Sequence, residues 1–191
     1  VRISDLMTIP SPYTMGLLDK FFPTSLMPLI ETTRGCPYSC TFCSDGSNLR
    51  NKVFKGTSEF ISEELLYIAS HKPEAPQLCM GDLNFGMYRH DIDTAKTLHH
   101  IRLKYGWPLR IDHSSGKSQP HRLLEVTNII NEGNLGMIKL GSSLQSTDPG
   151  VLKSIKRKNL PYDELMKIRG SNSDSSQTNL QDFTELIVPL P

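Results

Sequence analysis

Apolar and polar residues alternate in a strand-then-helix rhythm along most of this chain. Leu29–Thr33 is a short apolar, β-branched run behind a proline and reads as a strand. Ser58–Ser70 then places Ile61, Leu65, Ile68 and Ala69 at helical spacing, with Glu59, Glu63 and Glu64 toward the positive end of the helix dipole. Gln77–Gly81 predicts a second strand. Asp91–Lys104 predicts a helix with Ala95, Leu98, Ile101 and Leu103 inside. Leu109–His113 follows as a third strand. Pro120–Asn131 follows as a helix whose proline suits its first turn and whose Leu123, Leu124, Thr127 and Ile130 share a face. Ile138–Leu144 is a fourth strand. Asp148–Ile155 and Tyr162–Ile168 read as helical, separated by Pro161, and Glu185–Leu190 is a fifth strand.

Before this region the pattern breaks. Pro10, Pro12, Pro23 and Pro28 keep residues 1–28 extended or turning. That stretch reads as a linker or lead-in, with one short helix around Met15–Phe22. Residues 29–191 form the core domain. Gly170–Asn179, rich in Ser and Asn, reads as a solvated loop.

Strand–helix alternation implies right-handed βαβ units and a parallel sheet, hence an α/β fold. A closed eight-unit barrel takes about 250 residues, roughly 30 per unit. The residues after the lead-in supply about five units, which cannot close an eight-stranded barrel and suits a partial, TIM-like barrel with parallel strands or an open parallel sheet. The chain starts without Met and stops at Pro191 inside its last strand. The expectation is a domain truncated at its C-terminus, which does not turn over substrate alone and is either able to hold its cofactor or an inactive fragment.

Composition narrows the class. Lys and Arg number 21 against 20 Asp and Glu, a net charge of +1, and this argues against nucleic-acid or membrane-surface binding through bulk charge. Hydrophobic residues make up 37% of the chain, enough for a globular core. No apolar run approaches the roughly 18 residues of a membrane span, and the N-terminus lacks a signal-peptide pattern, so a cytoplasmic protein is expected. Four cysteines in 191 residues are too few for a disulfide scaffold.

Three of those cysteines carry the chemistry. Cys36, Cys40 and Cys43 stand as C-x3-C-x2-C in the segment ETTRGCPYSCTFCSDG, directly after the first strand. Thiolates are soft ligands that select zinc or iron–sulfur clusters. Three on one loop can hold three corners of a [4Fe–4S] cube and leave the fourth iron open to a substrate or cofactor. Gly35 permits the turn out of the strand, and Pro37 helps fix the loop. The alternative is a non-enzymatic zinc module, with Cys79 or a histidine as fourth ligand. Cys79, between Leu78 and Met80, reads more simply as a small core residue.

C-x3-C-x2-C with Phe42 before the last cysteine resembles the radical S-adenosylmethionine superfamily. IPSPYTMGLLDKF, GDLNFGMYRHD, SLQSTDPGVLKSIKRKN and ELIVPLP sharpen the resemblance. Together they resemble the core of members that often carry an N-terminal cobalamin-binding domain. The resemblance implies a partial (βα)6 barrel with the cluster on the loop after the first strand. It implies a [4Fe–4S] cluster on Cys36, Cys40 and Cys43, and S-adenosylmethionine bound through the open iron. A reduced cluster then splits the sulfonium to give a 5′-deoxyadenosyl radical, with methyl transfer possible in cobalamin-dependent members. A one-electron reductant such as flavodoxin or ferredoxin follows as partner. No D-x-H-x-x-G cobalamin-ligand motif occurs, so any cobalamin would sit on a domain outside this chain.

Ligands of parallel barrels bind at the carboxyl ends of strands, and each such end here is polar. Gly81-Asp82-Leu83-Asn84 stands where the superfamily often has Gly-Gly-Glu, which makes Asp82 and Asn84 the candidate acceptors for the methionyl ammonium. Phe42 joins them as a cofactor contact on the cysteine loop. Ser115, after the third strand, offers a hydroxyl for ribose. Gln145 and Arg157, twelve residues apart, match a Gln–Arg spacing found in several radical-SAM families. There the Gln meets the ribose region and the Arg the methionyl carboxylate, a pairing that suits the planar guanidinium fork.

Overall fold

The computed structural model describes residues 8–48, 50–116, 118–159 and 183–190. At its centre lies the long strand β4 (Gln77–Phe85), flanked by β1 (Leu29–Ile30) and β5 (Arg110–Ser115), all three parallel. Leu29 pairs with Cys79, and Leu78 pairs with Ile111. Beyond β5 the chain continues alongside without regular pairing, the Ile111 amide donating to the Met137 carbonyl at 2.8 Å. A second parallel pair follows, β6 (Gly141–Gln145) with β7 (Phe183–Leu186). Three helices return the chain from strand to strand: α1 (Ser58–Ser70) before β4, α2 (Asp91–Tyr105) between β4 and β5, and α3 (Pro120–Asn131) between β5 and β6. The architecture is the α/β arrangement that the pattern predicts.

The helices cover one face of the sheet. Ile61, Leu65 and Ile68 of α1, Leu98 and Ile101 of α2, and Val126 and Ile130 of α3 form one core with Leu78, Met80 and Ile111. Each fully buried aliphatic side chain contributes about 1.5–3 kcal/mol through its removal from water. Tyr13 and Phe22 of the lead-in belong to the same core, and Phe22 stacks on His71 at 5.3 Å between ring centroids.

The helix ends are chemically marked. Thr57 Oγ1 accepts from the Phe60 amide at the start of α1, and Asp148 Oδ1 accepts from the Val151 amide before α4 (Pro149–Ser154).

Several expected elements differ in detail. The single strand expected over Leu29–Thr33 is two: β1, and then β2 (Thr33–Arg34), which leaves the sheet to pair antiparallel with β3 (Phe54–Lys55). The helix around Met15–Phe22 reduces to a 3-10 turn at Asp19–Phe21, as the prolines around it allow no longer run. The fourth strand begins at Gly141 rather than Ile138, and β4 runs on past Gly81 to Phe85. Leu103 is 65% exposed, because it falls off the stripe of Thr94, Ala95, Leu98 and Ile101. The helix expected over Tyr162–Ile168 and the loop over Gly170–Asn179 lie outside the described residues.

Candidate functional site

The β2–β3 pairing, with Arg34 opposite Phe54, closes residues 35–53 into a loop, and that loop carries all three clustered cysteines. Gly35 leaves β2 at φ +94°, and a Cβ there would lie 2.1 Å from the Lys52 carbonyl oxygen, so the two ends of the loop touch only through glycine. At Gly46 a Cβ would lie 2.5 Å from the Cys40 carbonyl oxygen. Cys36 and Cys40 are buried, Cys43 is half-buried, and none is in a disulfide.

Contacts tie the loop to the ends of several strands. Asn84 Nδ2 at the end of β4 donates to Cys36 Sγ at 3.4 Å. The Tyr38 hydroxyl reaches Met87 Sδ, after β4, and Ser118 Oγ, after β5. The Thr41 amide donates to the Ile155 carbonyl just past α4 at 3.0 Å. The carboxyl ends of β4 and β5 and the end of α4 therefore meet on one loop.

The residues expected to bind a cofactor take different places. Asn84, Gln145 and Arg157 are buried, and each keeps one polar atom without a protein partner: Asn84 Oδ1, Gln145 Oε1 and Arg157 Nη1. Gln145 also holds a left-handed backbone, φ +65°, at the irregularity where β6 meets β7. Strain of this kind in a non-glycine residue collects at ligand sites. Arg157 Nε donates to Asn159 Oδ1 at 2.8 Å, its Nη2 meets the Ser143 carbonyl, and Asn159 Nδ2 donates to the Leu144 and Ser146 carbonyls. This latch puts Arg157 against the end of β6, beside Gln145. Asn159, which fixes the guanidinium, carries no motif signal in the sequence.

Asp82 is placed otherwise. Its Oδ2 accepts from the Thr32 amide at 2.9 Å, and its Oδ1 accepts from Thr32 Oγ1 and the Thr33 amide, both at 2.7 Å. Its carboxylate is thus engaged in joining β4 to the turn between β1 and β2, with burial pushing its pKa up against those bonds. Of the two expected acceptors, Asn84 alone keeps a buried free oxygen. Ser115 is buried with Oγ 3.1 Å from His113 Nε2, and burial pushes that imidazole down to about 4, so it is neutral at pH 7. Phe42 is 37% exposed on the outer part of the loop.

A second buried acid supports the site. Asp91 Oδ2 accepts from the Gly86 and Tyr88 amides at 2.8 and 2.9 Å and so shapes the β4–α2 turn that carries Met87. Burial, outweighing those two bonds, pushes Asp91 up to about 7. A carboxyl whose folded pKa lies above its unfolded value, 3.8, favours the protonated native state. The contribution of Asp91 to stability is therefore full below pH ~4, falls as pH rises to about 7, and is level above, a loss of up to about 4 kcal/mol from this group. Asp91→Asn keeps the acceptor oxygen and is expected to flatten that slope; urea titrations at pH 4.5 and 8 measure it. An unchanged slope would assign it to another group.

Among the described residues, no group of three His, Cys, Asp or Glu side chains is arranged to hold a metal ion. The donor set still fits a cluster and its ligand: three free thiols share one loop, and the orphaned atoms of Asn84, Gln145 and Arg157 lie on elements bonded to it or latched beside it.

Residues 30–168 match the family model of the Radical SAM superfamily. The chain belongs to that superfamily. Superfamily membership places the chain among radical SAM proteins rather than non-enzymatic zinc modules. Over its whole length the chain is 32% identical to the cobalamin-dependent radical SAM methyltransferase TokK of Streptomyces tokunonensis. It is also 32% identical to the 2-(S-pantetheinyl)-carbapenam-3-carboxylate methyltransferase of Streptantibioticus cattleyicolor. It spans 28% of the length of each relative. The cobalamin-dependent S-adenosylmethionine radical enzyme OxsB, solved with aqua-cobalamin and S-adenosylmethionine bound, superposes with a TM-score of 0.62 at 18% identity. That match covers 93% of this chain and 25% of OxsB, and it shares the fold. Among the described residues, no helix of this radical SAM domain is long and apolar enough to cross a membrane.

Proposed function

We propose that this radical SAM domain, residues 29–191 with 1–28 leading into it, holds a [4Fe–4S] cluster on Cys36, Cys40 and Cys43 and binds S-adenosylmethionine against it. What the bound cluster supplies is one electron for breaking a sulfonium carbon–sulfur bond. The observation that carries the reading is that three of the expected cofactor contacts, at the end of β4 and at the end of β6, each keep a buried atom without a partner: one acceptor on Asn84, one on Gln145, one donor on Arg157. Asn84 Oδ1 accepts from the methionyl ammonium. Arg157 Nη1, held by Asn159, meets the methionyl carboxylate. Gln145 and Ser115 face the ribose, and Phe42 shields the loop side. Burial strengthens the contacts of Asn84, Ser115, Gln145 and Arg157 and excludes water from the bond that breaks.

The whole protein, in this reading, is a methyltransferase of the class that TokK and the carbapenam enzyme represent. Its cobalamin would be held outside these 191 residues. A flavodoxin or ferredoxin supplies the electron in the cytoplasm, where free thiols and a reducible cluster persist. The test is anaerobic incubation of the whole protein with S-adenosylmethionine and dithionite. 5′-Deoxyadenosine is the expected product, with S-adenosylhomocysteine alongside it when a methyl group moves. Bound zinc without acid-labile sulfide, and no 5′-deoxyadenosine, would overturn the reading.

A further inference from the structure

We propose that Asn84 is a positioning residue that sets the reduction potential of the cluster by donating an N–H···S hydrogen bond to the Cys36 thiolate. The proposal rests on the reading that Cys36 is a cluster ligand, and goes beyond it. Asn84 Nδ2 lies 3.4 Å from Cys36 Sγ, and both residues are buried, at 3% and 4% exposure. A thiolate only accepts, so the amide must turn its NH2 end to sulfur and its oxygen away. The oxygen is indeed the end left without a protein partner.

The donor is held rigidly. Asn84 lies in β4, its carbonyl accepts from the Met87 amide at 3.1 Å, and two residues before it Asp82 anchors β4 to Thr32 and Thr33. The geometry is thus a property of the sheet and not of the cysteine loop alone. Reduction adds negative charge that is shared by the cluster sulfurs. A fixed donor at one sulfur stabilises the reduced state more than the oxidised one, and more strongly in a buried setting. Removing it should make the cluster harder to reduce. A neutral amide adds no charge of its own, so the effect is that of the hydrogen bond.

The experiment labels the side-chain amide of asparagine with 15N in the anaerobically reconstituted protein, and reads the reduced cluster by pulsed electron paramagnetic resonance. A 15N coupling is expected in the native chain. In Asn84→Leu, which keeps the volume without the donor, the coupling should vanish while iron and sulfide contents stay unchanged. The reduced-to-oxidised ratio at a fixed potential should fall about tenfold, equivalent to about 59 mV for one electron. Native protein with a loaded cluster and no asparagine 15N coupling would overturn the proposal, even if the leucine variant failed to fold. So would a leucine variant that retains the coupling, or one with full iron and an unmoved potential. A native chain that takes up no cluster fails the underlying reading instead, and the proposal falls with it.

Discussion

Cys40→Ala is expected to reduce the iron content of the reconstituted protein from about four atoms per chain to near zero, the four being set by the cube. Cys40 is buried, its carbonyl accepts from the Cys43 amide, and it stands at the middle of the three-thiol loop. Two thiolates cannot replace three corners of the cube. Cys79→Ala is the control. Cys79 lies in β4 opposite Leu29 and Asp112, its thiol pushed up by burial and then by Asp112, which disfavours the thiolate that a metal needs. Its loss should leave the iron count unchanged. Iron and sulfide assays with the visible spectrum decide the matter. An intact cluster in the Cys40 variant, or a lost one in the Cys79 variant, would remove the ligand assignment.

Arg157→Ala is expected to weaken S-adenosylmethionine binding by about ten- to a hundredfold while the cluster remains. A hydrogen bond to a charged group contributes about 1.5–3 kcal/mol. The orphaned Nη1 is the donor at stake, since Nε and Nη2 are engaged with Asn159 and Ser143. Arg157→Lys keeps the charge but loses the fork, and should recover part of the affinity. Calorimetric titration of reconstituted protein measures both. An unchanged dissociation constant in the alanine variant would reduce Arg157 to a latch on the end of β6.

What the sequence disclosed and what it withheld separate along a physical line. The cysteine spacing and the helical stripes of α1 and α3 are local signals, and they stand in the structure as elements in the expected places. Gln145 and Arg157 are separated by twelve residues, a spacing that the family resemblance singles out, and the structure sets Arg157 against the Ser143 carbonyl in β6, the strand that ends at Gln145. The strands β2 and β3 are two residues each and exist through their pairing with one another across the cysteine loop, so no periodicity announces them. Asp82 and Asn84 look alike from the sequence, two polar residues just past the end of the expected second strand. Only the fold shows one bound to Thr32 and Thr33 and the other with a free oxygen. Asn159 and Asp91 act through backbone groups of distant or looped segments, which leave no pattern in side-chain order. Leu103 shows the reverse error: an apolar residue near a helical stripe need not be on it.

The bond from Asp82 to Thr32 spans 50 positions, and it braces the strand from which the cysteine loop departs. During synthesis the three thiols emerge well before the carboxylate that fixes their approach, and earlier still than Arg157. Closing a loop of this length costs chain entropy that must be lost before the contact stabilises anything. The loop therefore acquires its shape from chain made after it. A cluster carried on this loop, as proposed, would find its site shaped only once β1 has paired with β4, and a chain halted upstream of Asp82 would present three cysteines without that brace.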